Sequence, residues 1–320
     1  MISQLVDGAL ELTIAGSYSR IGYSARSRLE HWAPPDRVEG RVVLVTGATS
    51  GIGRSIADGL AGLGAVVIVV GRDESRGEST VKAIVERTGN SEVSFERADL
   101  SRLADVRDLA DRVARSHPRL DVLVHNAGTL SRTYILTEDG LELTVAVHVV
   151  APFLLTHLLM GQLRAAPAGR VITMSSGGMY SQRLDVTALR PHAADYDGVK
   201  AYARAKRAQV ELTRLWGQHH AGAGVLFVAM HPGWVATPGL DSGLPGFARL
   251  VRPVLRTPEQ GADTAVWLAT APPTLLSGGC FWLDRRARRE HLVPWTRSAP
   301  GEPRRLWDWC IESAAVRAIV

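Results

Sequence analysis

A tyrosine stands four residues ahead of a lysine twice within one short segment, Tyr196 with Lys200 and Tyr202 with Lys206. On a helix that spacing puts both side chains on one face. A phenol with an unperturbed pKa of about 10 works near neutrality when a neighbouring cation favours the phenolate, and lysine supplies that cation. Such a pair suits proton transfer to a carbonyl oxygen while a hydride reaches the carbon. Asp197 and Gly198 interrupt the first pair, whereas Ala203, Arg204 and Ala205 fill the second with good helix formers. Tyr202 and Lys206 are therefore preferred, and Tyr196 is assigned to packing or pocket lining. Ser176 follows a strand-like run and is placed to orient the carbonyl and bond the developing oxyanion. Its neighbour Ser175 is read as structural, and no GxSxG elbow accompanies either serine, which disfavours a serine nucleophile.

Hydride transfer requires a carrier. The run TGATSGIG sets Thr46, Gly47, Ser50, Gly51, Ile52 and Gly53 between a VVLV strand and a helix. Glycines there permit a tight turn and close backbone approach, and free amides at the helix start can face a pyrophosphate. At the end of the second strand, where a carboxylate would accept ribose hydroxyls, stand Gly71 and Arg72. Arg72 can oppose a ribose phosphate, so NADP(H) is favoured over NAD(H), although a shifted register would bring in Asp73 or Glu74. Asp99, followed by Leu100, ends the third strand and either reaches an adenine edge or begins a helix. Asn126, Ala127 and Gly128 end the fourth with little bulk, as a strand-end turn or beside a ligand. Pro232, Gly233 and Thr237 form a turn that can pass the nicotinamide, with Thr237 able to bond its carboxamide. The stretch from Gly239 to Pro258 is long enough for a substrate lid, and its Leu, Phe, Val and Pro content suits an apolar or amphipathic substrate or mere packing of the lid.

These residues need a scaffold. Apolar runs begin at 41, 65, 93, 121, 170, 224 and 279, each ending in a turn and separated by helix-like segments. Runs without alternation suit parallel strands covered on both faces. The expectation is one α/β unit, a Rossmann-type doubly wound parallel sheet of about seven strands with helices on both faces, over residues 40–284. Leu103, Val106, Leu109, Ala110 and Val113 recur at helical spacing, with Ser101 placed as the cap. Residues 177–197 show no period and are expected to be irregular near the site. Residues 1–39 form an N-terminal extension ending in a Pro34-Pro35 break, and residues 285–320 an Arg-rich tail, packed on the core or at a subunit interface.

The chain has 320 residues, 46 % apolar, and a formal charge of +5 with basic and acidic residues interleaved, a solvated surface rather than a nucleic-acid face. Cys280 and Cys310 are the two cysteines, with no metal-ligand spacing around them, which excludes a disulfide framework and fits a reducing, cytoplasmic setting. Asp7 and Glu11 interrupt the start where a secretory signal would be apolar, and His148, Thr156 and His157 break the most apolar window, Val145 to Met160.

TGATSGIG, Asp99-Leu100, NAG at 126, Ser176, Tyr202 with Lys206, and PGWVAT from Pro232 together resemble a classical short-chain dehydrogenase/reductase, in that family's order and over roughly residues 40–284. More narrowly, SSGGM at 175, YARAKRAQVELT at 202 and HPGWVATPG at 231 resemble the dehydrogenase/reductase member-twelve group, akin to retinol-dehydrogenase-like enzymes. The resemblance implies Tyr202 as general acid in reduction and base in oxidation, Lys206 on the nicotinamide ribose, and Ser176 on the carbonyl or alcohol. It also implies a homodimer or homotetramer and a small apolar or lipid-like substrate. Two departures stand out. The 26-residue interval from Ser176 to Tyr202 is about twice the family's usual one, implying an inserted loop beside the pocket. His148 occupies the place of a supporting asparagine, and serves an altered proton relay, marks weakened catalysis, or is a satisfied core histidine. The alternative function is therefore a weakly catalytic or non-catalytic cofactor-binding regulatory or scaffold protein. Peripheral membrane contact through the terminal extensions is a separate expectation.

Overall fold

The computed structural model describes residues 2–276 and 281–317. Three helices come first, α1 (Ile2–Glu11), α2 (Ile14–Tyr18) and α3 (Arg20–Leu29). Strands and helices then alternate as β1 (Val42–Thr46), α4 (Gly51–Gly62), β2 (Val66–Gly71), α5 (Glu74–Thr88), β3 (Val93–Arg97), α6 (Leu103–Ser116) and β4 (Val122–His125). A composite helical stretch follows, with α7 (Leu143–Val145), a π-helical turn at Ala146–Val150, α8 (Ala151–Leu158) and α9 (Met160–Ala165). Next come β5 (Gly169–Met174), α10 (Gly198–His219), β6 (Val225–Met230), α11 (Pro238–Gly243), α12 (Pro245–Val251), α13 (Pro258–Thr270), β7 (Phe281–Leu283), β8 (Arg286–Ala287) and α14 (Glu302–Ser313).

The strands form one sheet in the order β3-β2-β1-β4-β5-β6-β7-β8, parallel except for the last pair. Seven strands of this sheet answer to the apolar runs in the sequence, and the eighth is a two-residue return from a tight turn. The last run's first residues, Gly279 and Cys280, lie outside the described residues. Successive side chains leave β1 on opposite faces. Val42 and Leu44 join a core under α6, α8, α10 and α14, while Val43 and Val45 join one under α4, α5 and α13. The order reverses between β1 and β4, so a crevice opens at their carboxyl ends, where such sheets bind ligands.

Local chemistry sets the helix starts around that crevice. Asp197 caps α10 by accepting from the amides of Val199 and Lys200 at 3.0 and 3.1 Å. The cap expected of Ser101 is not made. Its hydroxyl goes instead to Asp99 at 2.7 Å, and the Leu103 amide that opens α6 donates to Asp139 at 2.9 Å. Between Ser176 and α10 the chain runs irregularly through three short 3-10 turns.

The terminal segments pack on the sheet. Arg26 of α3 is buried and donates to Asp7 and Asp284 at 2.7 Å and to Glu11 at 2.9 Å. Asp284 also accepts from Arg256 at 2.6 and 2.9 Å. Asp284 and Arg285 turn the chain from β7 to β8 with φ of 54° and 56°, the left-handed pair that a two-residue hairpin turn demands and that glycine or asparagine usually supplies. Ion pairs hold both residues there, Asp284 as described and Arg285 on Asp263 at 2.7 Å. At the other end of the chain, Trp307 of α14 packs against Phe153 and Trp216, with ring centroids 5.1 and 4.8 Å apart. Among the described residues no helix is long and apolar enough to cross a membrane, and no group of His, Cys, Asp and Glu could hold a metal.

Candidate active site

The loop after β1 is a cradle with no room for a side chain at positions 47 and 53. Gly47 has φ +64°, and a Cβ there would sit 2.7 Å from the Ala127 Cα. A Cβ on Gly53 would meet the Asn126 amide nitrogen at 2.3 Å and the Gly47 carbonyl oxygen at 2.4 Å. Asn126 fixes this loop by donating to the carbonyls of Thr46 and Gly47 at 2.9 and 3.2 Å. The Thr46 hydroxyl accepts from the amides of Asn126 and Ala127, both at 3.1 Å, so it stitches β1 to β4 rather than facing a ligand. Ser50 precedes α4 without a side-chain cap, which leaves the first-turn amides to an anion. Ile52 packs toward the core and the Leu100 side chain is buried in it, so each can offer a ligand only backbone. A pyrophosphate suits this cradle.

At the end of β2, Arg72 is exposed and Arg97 of β3 lies beside it, its guanidinium donating to the Arg72 carbonyl at 3.3 Å. Asp73, the rival for a ribose contact, caps α5 by accepting from the Arg76 amide at 3.0 Å. The ribose corner therefore presents two cations while its nearest carboxylate is engaged. Asp99 does not itself begin α6, which opens at Leu103. Its carboxylate binds the amide and hydroxyl of Ser101 at 2.9 and 2.7 Å, shaping the approach to α6.

Tyr202 and Lys206 share a face of α10, and Ser176 at the end of β5 lies near enough to Tyr202 to draw its pKa down. The lysine ammonium lies 5.4 Å from the centre of the tyrosine ring and donates to the Met174 carbonyl at 2.6 Å. Ser175 donates to the Lys206 carbonyl at 2.9 Å, joining β5 to α10. The expected acidification of Tyr202 is absent from this arrangement. Burial pushes its hydroxyl above the usual phenol value, against a smaller downward pull from Ser176. Burial likewise brings Lys206 down to about 7. The cause is common to both: a charge held out of water is disfavoured on either group.

The rival pair is dispersed. Tyr196 precedes α10 and so shares no helical face with Lys200. Its hydroxyl donates to Glu142 at 2.9 Å, and burial followed by the Glu142 carboxylate pushes it up to about 12. Lys200 is largely exposed beside Asp197.

His148 lies within the π-helical turn, its ring edge-to-face with Tyr202 at 5.4 Å between centres. Nε2 is 2.9 Å from the Thr129 amide nitrogen. A Cβ on Gly128 would come within 2.7 Å of the imidazole Cε1, so this ring is what the third residue of the NAG turn must clear. Burial, then the Lys206 charge, holds the imidazole well below its usual pKa, and the ring is neutral.

The turn after β6 closes the crevice. Gly233, at φ +82°, would drive a Cβ to 2.3 Å from the Arg256 guanidinium, which also donates to the Pro232 carbonyl at 3.3 Å. Thr237 caps α11 by accepting from the Leu240 amide at 3.2 Å, and its methyl stands 3.4 Å from where a Gly51 Cβ would be, so the two loops meet across the crevice. The stretch expected to be a lid is folded into α11 and α12, with Phe247 edge-to-face on Trp234.

Four contributors escaped the sequence reading. Tyr18 of α2 packs on His231, ring centres 4.4 Å apart, and against Gly177 next to Ser176. Arg256 carries the turn at 232–233. Gln209 donates to the His148 carbonyl at 2.9 Å, and His125 bonds Thr156 at 2.7 Å. Gln209, one turn beyond Lys206, had a positional signal. The others are joined to the site only by the fold.

The short chain dehydrogenase family model matches residues 41–243. Dehydrogenase/reductase SDR family member 12 of Bos taurus is 38 % identical over 294 residues, covering 90 % of this chain and 91 % of that protein. Retinol dehydrogenase 11 of Homo sapiens is 33 % identical over 283 residues, 85 % of each chain. A solved chain from Escherichia coli CFT073 complexed with NADPH superposes with a TM-score of 0.64 at 26 % identity, covering 78 % of this chain and 99 % of that one.

Proposed function

The chain belongs to the short chain dehydrogenase family of oxidoreductases, and from that premise we propose that it interconverts a carbonyl and an alcohol with NADP(H), using Tyr202 as general acid and base. The observation that carries this reading is the meeting of Tyr202, Lys206 and Ser176 at the carboxyl end of the sheet, across from the cradle at Gly47–Gly53. First-turn amides of α4 would hold the pyrophosphate, Arg72 the ribose phosphate, Lys206 the nicotinamide ribose, and the turn at Pro232–Thr237 the nicotinamide. The nicotinamide supplies or accepts hydride at the substrate carbon.

In reduction the Tyr202 hydroxyl gives its proton to the carbonyl oxygen, and in oxidation the phenolate takes it from the alcohol. The Ser176 hydroxyl donates to the oxygen on which charge develops. A protonated Lys206 favours the phenolate. NADP(H) rests on Arg72 and Arg97 and on the capped Asp73, together with the NADPH complex of the Escherichia coli relative. A small apolar or lipid-like substrate fits Trp234 and Phe247, and a retinol dehydrogenase is among the relatives. A homodimer or homotetramer, in a cytoplasmic setting, completes the proposal. Light scattering coupled to gel filtration reads the assembly.

The test is turnover of a panel of aldehydes, ketones and alcohols with NADPH and NADH. The reading expects turnover with NADPH preferred. A folded, NADPH-binding protein that turns over nothing in the panel would favour a cofactor-binding regulatory role instead.

A further inference from the structure

Beside His148 lies a small chamber between β4, β5 and β6, the π-helical turn with α8, and α10. It offers about 20 Å³ to the centre of a water-sized sphere, room for one water or two. Three buried polar atoms on its lining residues have no partner among the described residues: His148 Nδ1, Gln209 Oε1 and His125 Nδ1. Orphans of this kind are uncommon in folded proteins, because a buried polar atom left unmet keeps the full penalty of leaving water.

The neighbouring bonds fix what each orphan needs. The His148 carbonyl only accepts, so the Gln209 amide nitrogen faces it at 2.9 Å and the amide oxygen is left to the chamber as an acceptor. The Thr129 amide only donates, lies 2.9 Å from His148 Nε2 and has no other acceptor among the described residues. If Nε2 accepts that bond, the neutral ring carries its proton on Nδ1 and points a donor into the chamber. The opposite tautomer would donate from Nε2 to the Thr129 carbonyl, 2.8 Å away, and leave the Thr129 amide unmet, whereas the first sets that carbonyl against the Nε2 lone pair. At His125, Nε2 is occupied by Thr156 at 2.7 Å; where the ring donates that bond, the buried Nδ1 is left as an acceptor.

We propose that the chamber holds an ordered water that accepts from His148 Nδ1–H and donates to Gln209 Oε1 and His125 Nδ1, fixing the tautomer through which His148 grips the Thr129 backbone. One water then satisfies three groups with three bonds, the usual number for a buried water. The NAG turn, clamped to the Gly47 loop by Asn126, is clamped at its other end by His148. His148 is thus a positioning residue for the cofactor side of the crevice. That last consequence rests on the proposed function; the water and the tautomer do not.

The decisive experiment uses the full chain labelled with ¹⁵N-histidine. Ring-nitrogen spectra report the His148 tautomer, and water-to-protein NOEs together with a high-resolution crystal structure report the chamber. The expected result is a neutral His148 protonated on Nδ1, with a long-lived water against it. Gln209→Met keeps the length of the side chain but removes the water's acceptor. It is expected to mix the His148 tautomers and raise the NADPH dissociation constant about fivefold, the size of one lost hydrogen bond. A dry chamber, or a wild-type His148 protonated on Nε2, overturns the proposal whatever the turnover. A hydrated chamber with the Nδ1 tautomer in a protein that turns over no substrate upholds it and removes only the catalytic reading of Tyr202.

Discussion

Asp284 is the residue whose replacement should cost the fold most for the smallest change in shape. It is fully buried between Arg26 and Arg256, and Asp284→Asn would leave two buried guanidiniums facing a neutral amide. Removing one partner of a buried ion pair costs about 3–5 kcal/mol. Arg26→Met is the informative contrast, because each carboxylate it abandons keeps another cation: Asp284 retains Arg256, Asp7 retains Arg288 at 2.8 Å, and Glu11 retains Arg288 at 3.6 Å. Its cost should be about 1.5–3 kcal/mol, the worth of a charged hydrogen bond. Urea unfolding at pH 7 measures both, and in a thermal melt Asp284→Asn should lose roughly 4–8 °C. Asp284→Asn should also weaken substrate handling, since Arg256 braces Pro232 and Gly233. An Asp284→Asn protein as stable as wild type, or more stable than Arg26→Met, would refute the view that these carboxylate bridges hold the N-terminal helices to the sheet.

Other consequences can be measured as directly. Arg72→Ala should raise the NADPH dissociation constant by about 10- to 100-fold, one charged hydrogen-bonding group to a phosphate, and leave NADH binding nearly unchanged in a fluorescence titration. Gly53→Ala puts a methyl 2.3 Å from the Asn126 amide and should abolish cofactor binding while circular dichroism still reports a folded chain. His125 and His231 are each held to about 3 by burial against 6.5 for a free imidazole. Below about pH 6.5 the unfolded chain takes up protons that the folded one refuses, so stability falls with pH, by roughly 2 kcal/mol per ring between pH 7 and pH 5. Urea midpoints across that window should show the fall, and His231→Gln should make it shallower; an unchanged slope would deny that His231 is buried neutral.

What could be read in advance was local. β1 and β2 are runs of valine with a leucine or an isoleucine that need no partner to be recognised, and the glycines at 47, 51 and 53 declare a turn wherever the chain goes afterwards. Tyr202 stood out from Tyr196 because Asp197 and Gly198 interrupt the first pair, and α10 begins only at Gly198. The unreadable part depends on distance in space. The bonds from Arg26 to Asp284 and from Arg256 to the Tyr18 carbonyl join residues 258 and 238 positions apart. The direction of the Tyr202 shift depends on how much packing removes water from its hydroxyl, a sum over many elements that no spacing reveals. Ser101 shows the same limit at short range: its residue type suited a cap, but a carboxylate two positions earlier took its hydroxyl.

The central claim is that Tyr202 moves the proton, and single-turnover oxidation of NADPH against a carbonyl substrate tests it in three proteins: wild type, Tyr202→Phe and Tyr196→Phe. The account predicts a loss of about 10²- to 10⁴-fold in Tyr202→Phe, the usual worth of a general acid, with NADPH affinity kept and Tyr196→Phe close to wild type. Turnover surviving in Tyr202→Phe and lost in Tyr196→Phe would contradict it.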